Sequence, residues 1–206
     1  MKGLFITFEG GECSGKTTII KTLCKVLEEK GISYISTREP GGIDIAEQIR
    51  SIILDVKNTA MTEETEALLY AASRMQHLKE RVIPAIERGD IVICDRFLDS
   101  SLAYQGYARK LGMDAILKIN HFALDHLPDL TLFIDVKPEV ALKRLENRNK
   151  SDRLDLEELE FHQNVYDGYH QVCQMYPDRI RQIDGNRPLE VIVEECISII
   201  LEFIGR

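Results

Sequence analysis

The amino-acid sequence predicts an α/β domain whose strands are parallel and buried. Short apolar runs rich in β-branched residues alternate with longer amphipathic segments from one end of the chain to the other. The chain has 206 residues, which is a usual length for one domain. No internal repeat, low-complexity tract or linker rich in Pro, Gly and Ser divides the sequence. We therefore expect residues 1–206 to form a single domain.

Five short apolar runs are predicted to be the strands. They are apolar almost throughout and mostly end in a polar residue, a pattern typical of parallel strands that are buried on both faces. The predicted strands are Leu4 to Glu9, Ser33 to Thr37, Ile91 to Asp95, Thr131 to Asp135 and Ile180 to Asp184.

Longer segments are predicted to be helices because their apolar residues recur at the spacing of one helical face. A polar stretch at about residues 147–155 has no apolar stripe and is predicted to be a surface loop. The predicted helices are Lys16 to Lys30, Ile45 to Leu54, Thr62 to Arg88, Ser100 to Arg109, Asp114 to Ala123, Pro138 to Arg148, Leu156 to Tyr176 and Pro188 to Ile204.

Composition argues against several classes of function. The chain carries 26 Lys and Arg against 34 Asp and Glu, a formal net charge of −8. An acidic chain without basic blocks is a poor binder of nucleic acid or of anionic membranes. No run approaches the roughly 18 apolar residues of a membrane span. We therefore expect no nucleic-acid or membrane partner, and any anionic ligand must be held by a local cluster of basic residues.

Cysteine usage points to a reducing compartment. The five cysteines are odd in number, scattered along the chain and never spaced as C-x-x-C. This argues against a disulfide framework and against a zinc site. The amino terminus carries an apolar run that is too short for a signal peptide. We therefore expect a cytoplasmic protein.

The most informative short motif is a phosphate-binding loop. Residues Gly10 to Thr17 fit G-x-x-x-x-G-K-[ST], directly after an apolar strand and directly before an amphipathic helix, which is the context that the motif requires. Backbone N–H groups of such a loop cradle phosphates, Lys16 would reach the β- and γ-phosphates, and the Thr17 hydroxyl would coordinate Mg²⁺. A glycine turn that binds nothing is the disfavoured alternative. The predicted ATP-binding residues are Gly10, Gly11, Glu12, Cys13, Ser14, Gly15, Lys16, Thr17 and Thr18.

A second apolar strand ends in a carboxylate that suits a metal–nucleotide site. Asp95 closes the predicted strand Ile91 to Asp95 and is followed at once by Arg96. A Mg²⁺–nucleotide site needs such a carboxylate, either directly or through water. Asp135 and Asp184 also end apolar strands, but we interpret them as turn or cap residues. Asp95 is therefore predicted as the second metal-binding residue.

Four further fragments point to one family of enzymes. They are Phe8 to Gly10, Thr37 to Gly42, Ala72 to Arg74 and Asp95 to Gly106. The stretches Arg-Glu-Pro-Gly and Asp-Arg-x-x-x-Ser-Ser-x-Ala-Tyr-Gln-Gly within them are far more specific than the phosphate loop. Together the fragments closely resemble the bacterial thymidylate kinases, which phosphorylate dTMP to dTDP. The resemblance runs from the first strand to the final helix.

This resemblance implies a fold, an assembly and a reaction. The fold is the three-layer α/β type of P-loop NTPases, in which helices wrap a five-stranded parallel sheet. The assembly is a homodimer. The reaction is transfer of the γ-phosphoryl group of Mg·ATP to dTMP, giving dTDP and ADP, with Mg²⁺ as the cofactor.

The resemblance also assigns residues to the phosphate and to one edge of the base. Arg38 and Arg96 would hold the phosphate of dTMP, and Arg74 would hydrogen-bond the thymine carbonyl. Arginine suits both tasks, because its planar fork binds phosphate at two points and offers a directed donor. Since the acceptor phosphate is already anionic near neutral pH, the reaction needs positioning and charge neutralisation more than a general base.

The remaining residues that the resemblance assigns would surround the nucleoside. Tyr70 would stack on the base face, and Ser101 and Gln105 would lie at the thymine edge. Tyr104 would pack against the deoxyribose at the point where a ribose carries its 2′-hydroxyl. Glu12 would approach the 3′-hydroxyl of the sugar.

The polar loop at about residues 147–155 resembles the lid that closes over ATP in nucleoside monophosphate kinases. In one branch of the family a lid arginine stabilises the transferring phosphoryl group, whereas in the other branch an arginine lies inside the phosphate loop. Here that loop position is Cys13, so the lid branch is implied. The alternative for any one lid cation is a solvated surface charge. The predicted catalytic residues are Lys16, Asp95, Arg96, Arg148 and Arg153.

Two other functions stay open on the sequence. A kinase for another nucleoside monophosphate would keep the chemistry and change the base, and the residues predicted around thymine argue against it. A nucleotide-binding regulator without turnover would keep the phosphate loop but would not need a second phosphate site. Arg38 and Arg96 argue against that second alternative.

Overall fold

A five-stranded parallel sheet forms the centre of the structure, a computed structural model that describes residues 3–145 and 152–205. The strands lie in the order β2-β3-β1-β4-β5, and every neighbouring pair is parallel. All predicted strands are found with bounds within one residue of the prediction, which confirms the predicted parallel sheet. The strands are β1 (Leu4–Glu9), β2 (Tyr34–Arg38), β3 (Ile91–Asp95), β4 (Leu130–Asp135) and β5 (Ile180–Asp184).

Helices cover both faces of the sheet. They are α1 (Lys16–Glu29), α2 (Asp44–Leu54), α3 (Glu63–His77), α4 (Ile83–Arg88), α5 (Leu98–Ser101), α6 (Met113–Ile119), α7 (Pro138–Leu145), α8 (Leu159–Met175) and α9 (Leu189–Ile204). Leu78–Val82 and Leu102–Ala108 are π-helical, and His121–His126 is a 3₁₀-helix. None of the helices in the described part of the chain is long and apolar enough to span a bilayer.

The predicted helix Thr62 to Arg88 is not one α-helix. The α-helical hydrogen bonds end at His77, the π-helical segment Leu78–Val82 follows, and α-helix resumes at Ile83. Pro84 stands in the first turn of the resumed helix. Proline lacks the N–H that would continue the ladder, and its ring crowds the preceding turn, so the backbone widens just before it.

Three other predicted helices also change form. Ser100 to Arg109 begins earlier as α5 and continues as a π-helical segment. Asp114 to Ala123 stops at Asn120, whose side chain donates to the carbonyl of Ile116 at 2.9 Å, and a 3₁₀-helix follows. The predicted helix Pro138 to Arg148 is α-helical through the end of α7, and its last three residues lie outside the described residues.

Two apolar cores, one on each face of the sheet, make the fold three-layered. Alternate side chains of a strand point to opposite faces, and β1 shows this directly, since Phe5 belongs to one core while Ile6 and Phe8 belong to the other. Phe97 and Tyr169 join Phe5, whereas α1 and α9 supply the second core. Burial on both faces explains why the strands are apolar almost throughout.

Candidate active site

The carboxyl ends of three neighbouring strands bring the predicted site residues together. β1 ends at Glu9, β2 at Arg38 and β3 at Asp95. In the register of the sheet, Asp95 is paired with Phe8 on one side and with Arg38 on the other. Ligands of open parallel sheets bind at this edge, because every connecting loop that follows a strand starts there.

The loop between β1 and α1 has the backbone of an anion site. Gly10 has a φ of 145°, and a Cβ there would lie 2.7 Å from the carbonyl oxygen of Ile134, so only glycine fits. Helix α1 begins at Lys16 with no side-chain cap and no acidic residue in its first turn. Its first N–H groups and the positive end of its dipole are therefore left for a bound anion.

Lys16 is folded back onto this loop. Its ammonium group donates to the carbonyls of Gly10 and Gly11 and to the Ser14 hydroxyl, at 3.0, 2.9 and 3.0 Å. Burial, and to a smaller extent the positive charge of Arg96, lower the pKa of Lys16 to about 8. Three neutral oxygens thus hold a cation that is poised to exchange them for phosphate oxygens.

Asp95 and Thr17 fit the predicted magnesium ion. Both line the cleft in front of the phosphate loop. Oδ1 of Asp95 is buried and has no hydrogen-bond partner in the described part of the chain. A buried carboxylate oxygen without a partner is costly, and carboxylate and hydroxyl oxygens are ligands that Mg²⁺ accepts.

A second cleft of about 520 Å³ opens beside the phosphate loop. It collects most of the residues that the sequence assigned to dTMP, although these residues come from three separate stretches of the chain. Ser101 lies behind the wall of this cleft, and Arg38 lies on the neighbouring cleft. The predicted residues on its wall are Glu12, Tyr70, Arg74, Arg96, Tyr104 and Gln105.

Arg74 is fully buried at the floor of the second cleft and is held by several partners. Its Nε donates to Glu39 at 2.9 Å, and its Nη1 donates to Asn120 at 2.6 Å. Its Nη2 donates to the carbonyl of Phe97 and to the Ser101 hydroxyl, at 3.1 and 2.9 Å. These bonds use four of the five guanidinium N–H groups. The N–H that remains, on Nη1, is the donor that Arg74 can offer to a base.

Arg96 lies where the second cleft meets the phosphate loop. Its Nη2 and the Tyr104 hydroxyl both donate to Oε1 of Glu12, at 2.5 and 3.0 Å. Its Nη1 donates to the carbonyl of Gly10 at 2.9 Å. Burial is the largest single influence on Arg96 and opposes its charge, but Glu12, Tyr104, Tyr169 and Asp95 together outweigh burial and raise the pKa of the guanidinium well above its usual value. Arg96 therefore stays cationic at the junction of the two clefts.

Two further arginines flank this junction. Arg38 is half-exposed and ion-paired with Glu47 at 2.7 Å. Arg50 donates to the carbonyl of Pro40 at 2.9 Å and lines both clefts. The sequence analysis missed Arg50, because an arginine on an amphipathic helix is usually a solvated surface charge.

The predicted lid arginines are only partly described. Arg148 lies outside the described residues. Arg153 donates through Nε to the carbonyl of Ile53 at 2.9 Å and forms an ion pair with Glu66. Gln105 also donates to Glu66, at 2.8 Å. A contact between Arg153 and a transferring phosphoryl group would therefore require that Arg153 leave Glu66.

Arg144 of α7 is a basic residue that does reach the phosphate loop. Its Nη1 donates to the carbonyl of Cys13 at 3.3 Å, and its Nη2 donates to the carbonyl of Gly185 at 3.4 Å. Cys13 itself has a left-handed φ of 50°, a conformation that glycine adopts more readily. Sequence reasoning did not find Arg144, since nothing in a helical pattern shows that one cation bends towards a distant loop.

Comparisons with known proteins agree with this geometry. A sequence model of the family described as thymidylate kinase matches residues 8–196. A thymidylate kinase of Clostridium novyi is 59% identical over 197 residues, which cover 94% of this chain and 96% of that protein. One of Oceanobacillus iheyensis is 54% identical and covers 100% of this chain and 92% of that protein. The crystal structure of thymidylate kinase from Ehrlichia chaffeensis matches with a TM-score of 0.79 and 30% identity, over 98% of this chain and 99% of that one.

The lowered pKa of Lys16 predicts that nucleotide binding weakens as the pH rises above neutral. Above about pH 8 the free amine loses its charge, whereas bound phosphates favour the charged form. The Kd for ATP should therefore rise between about pH 7 and 9, by at most about tenfold per pH unit, and binding should take up a proton. Calorimetric titration in two buffers of different ionisation enthalpy measures both effects.

Matched lysine variants separate this effect from a general loss of positive charge. Lys21, exposed on the same helix, should give the same pH slope after Lys21→Met. Lys16→Met should weaken ATP binding and remove the slope. A wild-type Kd that stays constant over this pH range, with no proton uptake, would contradict the assignment of Lys16.

Proposed function

The chain belongs to the thymidylate kinase family and phosphorylates dTMP with ATP, and from this premise we propose how its residues divide that reaction between them. The observation that carries the proposal is that the phosphate-loop cleft and the second cleft share Glu12, Arg50 and Arg96. Donor phosphates in the first cleft and an acceptor phosphate at the mouth of the second would meet at these side chains. We assign γ-phosphoryl transfer, giving dTDP and ADP, to this junction.

The donor end of the reaction is proposed to lie on the loop Gly10 to Thr18. Lys16 would exchange its loop oxygens for oxygens of the β- and γ-phosphates, while the first N–H groups of α1 bind the same anion. Thr17 and Asp95 would hold Mg²⁺, which when bound neutralises charge on the donor phosphates. Oδ1 of Asp95 supports this metal assignment, because it is buried and has no hydrogen-bond partner among the described residues.

The acceptor base is proposed to bind on the floor of the second cleft. Arg74 would offer its remaining N–H to a thymine carbonyl, with Ser101 holding the guanidinium and Gln105 at the base edge. Tyr70 lines the same cleft and would stack on the base. Because Arg74 can only donate, its partner on the base must be an acceptor such as a carbonyl oxygen.

The sugar of dTMP is proposed to lie between Tyr104 and Glu12. The hydrogen bond from the Tyr104 hydroxyl to Glu12 fixes the position of the tyrosine ring. In this position the ring would fill the space beside the sugar. A ribose would bring a 2′-hydroxyl against this buried ring without a hydrogen-bond partner. We therefore assign the preference for deoxyribose to Tyr104 and contact with the 3′-hydroxyl to Glu12.

The phosphate of dTMP is proposed to be held by Arg38, Arg50 and Arg96. Arg38 and Arg96 line the phosphate-loop cleft, and Arg50 lines both clefts. The acceptor phosphate needs no base to become nucleophilic near neutral pH. The reaction must instead bring together the acceptor phosphate and the γ-phosphate of ATP, which repel each other. A cluster of fixed cations lowers the energy barrier that this repulsion creates.

Closure of the lid is proposed to complete the site. Arg148 and Arg153 are the candidates for contact with the transferring phosphoryl group, and Arg153 would exchange Glu66 for it. Arg144 already lies beside the donor end through its bond to Cys13. Closure would also exclude water that otherwise hydrolyses ATP.

The wild-type enzyme tests the substrate assignment. ADP release from Mg·ATP is measured with dTMP, dUMP, dCMP, AMP and GMP as acceptors. We expect dTMP to be the best acceptor, because the donor N–H of Arg74 opposes the amino group of adenine and of cytosine. Preference for AMP or GMP would support the alternative base, and ATP binding without acceptor-dependent ADP release would support the regulator.

Arg50→Ala tests the proposed phosphate site. A hydrogen bond from a charged donor is worth about 1.5–3 kcal/mol, so the KM for dTMP should rise by roughly 10- to 100-fold. Thymidine has no phosphate, and its inhibition constant should change little. Arg81→Ala, at an exposed arginine, is the matched control. Equal weakening of dTMP and thymidine would show instead that Arg50 acts through its bond to Pro40.

A homodimer is proposed for the assembly. Leu68 on α3 is 55% exposed and Phe122 in the 3₁₀-helix is 72% exposed, and these two segments pack side by side. A second copy of the chain would cover these apolar side chains. Leu68→Glu should shift sedimentation towards the monomer, whereas Val191→Glu on α9 should not. A wild-type chain that sediments as a monomer would contradict the proposal.

A cytoplasmic location is proposed as well. In the part of the chain that the structure describes, no disulfide bond joins any of the cysteines Cys13, Cys24, Cys94, Cys173 and Cys196. Free thiols persist where the compartment is reducing. The substrates ATP and dTMP are also those of nucleotide synthesis in such a compartment.

A further inference from the structure

Arg96 is held from behind by a buried hydrogen-bond network. Its backbone has a left-handed φ of 69°, which is uncommon for a residue with a side chain. Its Nη1 lies 2.9 Å from the carbonyl oxygen of Gly10, 3.0 Å from the Tyr169 hydroxyl and 3.3 Å from the Ser100 hydroxyl. The phosphate loop, α8 and α5 thus each supply one acceptor.

Glu9 lies beneath these acceptors and joins two of them. Its Oε2 accepts from the Ser100 hydroxyl at 2.5 Å and from the Tyr169 hydroxyl at 3.0 Å. Its Oε1 accepts from the backbone N–H of Phe97 at 2.7 Å. Glu9 is fully buried. The reaction as assigned above uses neither Glu9, Ser100 nor Tyr169.

The carboxylate of Glu9 orients the hydroxyls of Ser100 and Tyr169. Each hydroxyl has one proton and two lone pairs, and a guanidinium can only donate. The hydroxyl oxygens of Ser100 and Tyr169 also lie 2.8 Å apart, so one hydroxyl can donate to the other. When Glu9 is ionised, the protons of Ser100 and Tyr169 point to its carboxylate or along this contact, and not to Arg96. Their lone pairs are then turned towards Arg96. The carboxylate therefore sets the direction of the hydrogen bonds that hold the guanidinium.

The ring of Tyr169 is fixed by its surroundings. It stacks on Phe133 with ring centroids 4.9 Å apart and meets Tyr104 edge to face at 6.1 Å. The preceding residue, Gly168, lets α8 approach closely, since a Cβ there would lie 2.9 Å from the carbonyl oxygen of Ala103. The hydroxyl of Tyr169 thus reaches Arg96 from a rigid support.

We propose that Tyr169 and Ser100 are positioning residues for phosphoryl transfer. Their hydroxyls, oriented by the ionised carboxylate of Glu9, hold Arg96 in the place where it contacts the phosphate of dTMP. This inference rests on the proposed function of Arg96. It adds a support that comes from α8, an element far from the phosphate loop in sequence.

The charge state of Glu9 makes the support sensitive to pH. Burial, and to a smaller extent the negative charge of Asp99, raise the pKa of Glu9 to about 7. Below this pH Glu9 takes up a proton and donates it to one hydroxyl, whose own proton then turns to the other hydroxyl, to the carbonyl of Gly10 or to Arg96. Fewer lone pairs then face the guanidinium, and the negative charge of Glu9 that attracts Arg96 is lost. The kcat/KM for dTMP should therefore fall below about pH 7.

Several titratable or charged groups surround Glu9 and affect its titration. They are Lys16 on α1, Cys94 on β3, Arg96 and Asp99 after β3, Tyr169 and Cys173 on α8, and Arg179 before β5. The phosphate of dTMP itself titrates near pH 6. The substrate limb and the Glu9 limb of a pH profile are therefore about one unit apart.

Tyr169→Phe tests the proposal, because it removes the hydroxyl and keeps the ring. We expect kcat/KM for dTMP to fall by about tenfold or more, with the Kd for ATP within about threefold of wild type. The melting temperature should change by no more than a few degrees, because ring packing is kept. Glu9 also loses a donor, so the acid limb of the pH profile should move to higher pH.

Controls make each outcome decisive. Tyr166→Phe on the same helix, whose hydroxyl faces Asp135, should leave kcat/KM and the pH profile unchanged. If Tyr169→Phe does not fold, Ser100→Ala decides by the same measurements. Wild-type kinetics in these variants, or parallel losses of stability and ATP binding with an unmoved acid limb, would overturn the inference. A wild-type enzyme that does not phosphorylate dTMP would instead overturn the proposed function.

Discussion

The rest of the site depends on the charge and the hydrogen bonds of the Arg96 guanidinium. It lies between the phosphate loop and the second cleft, bonded to Gly10 on one side and to Glu12 on the other. Its charge also lowers the pKa of Lys16. Two cations this close repel each other, and they stay together because Glu12, Glu9 and Asp95 surround them. Lys16 and Arg96 are thus held in place before any phosphate binds, and such fixed cations can stabilise phosphate groups that must approach one another.

The sheet is what places these charges. Parallel strands end at one edge, so β1 delivers the phosphate loop while β3 delivers Asp95 and Arg96 beside it. The residue after β2, Glu39, is buried and binds both Arg74 and His77 at 2.9 Å. A buried carboxylate is tolerated because it is paired in this way. The same strand end thus carries Arg38, which we assign to the phosphate, and Glu39, which holds the arginine that we assign to the base.

The sequence predicts those parts of the fold and site that local pattern controls. The strands follow from apolar runs buried on both faces, and Lys16, Thr17 and Asp95 follow from a motif and its neighbouring strands. Their roles at the site stay predictions. The interruption after His77 could have been predicted from Pro84, since proline cannot continue the helical ladder.

Other features depend on contacts between distant residues and leave no local pattern. Arg50 and Arg144 occur in helices as ordinary surface cations would. Yet Arg50 bonds to the loop before its own helix, at Pro40, and Arg144 bonds to the phosphate loop, which is far away in sequence. Glu9 closes a strand and has the place of a terminal polar residue, and only the folded chain brings Tyr169 to it. The ion pair of Arg153 with Glu66 likewise cannot be predicted from the sequence of a polar loop.

Phosphoryl transfer at the proposed junction requires that the donor and acceptor phosphates meet at Arg96 and Glu12 within one continuous site. Calorimetric titration with an adenosine–thymidine pentaphosphate, which joins both substrates in one molecule, tests this requirement directly. We expect one bound molecule per chain, about 100-fold or more tighter than ATP or dTMP alone, because linked groups bind as one event. When the pentaphosphate saturates the site, neither free ATP nor free dTMP should bind. Binding no tighter than that of ATP, with dTMP still able to bind beside it, would contradict the account.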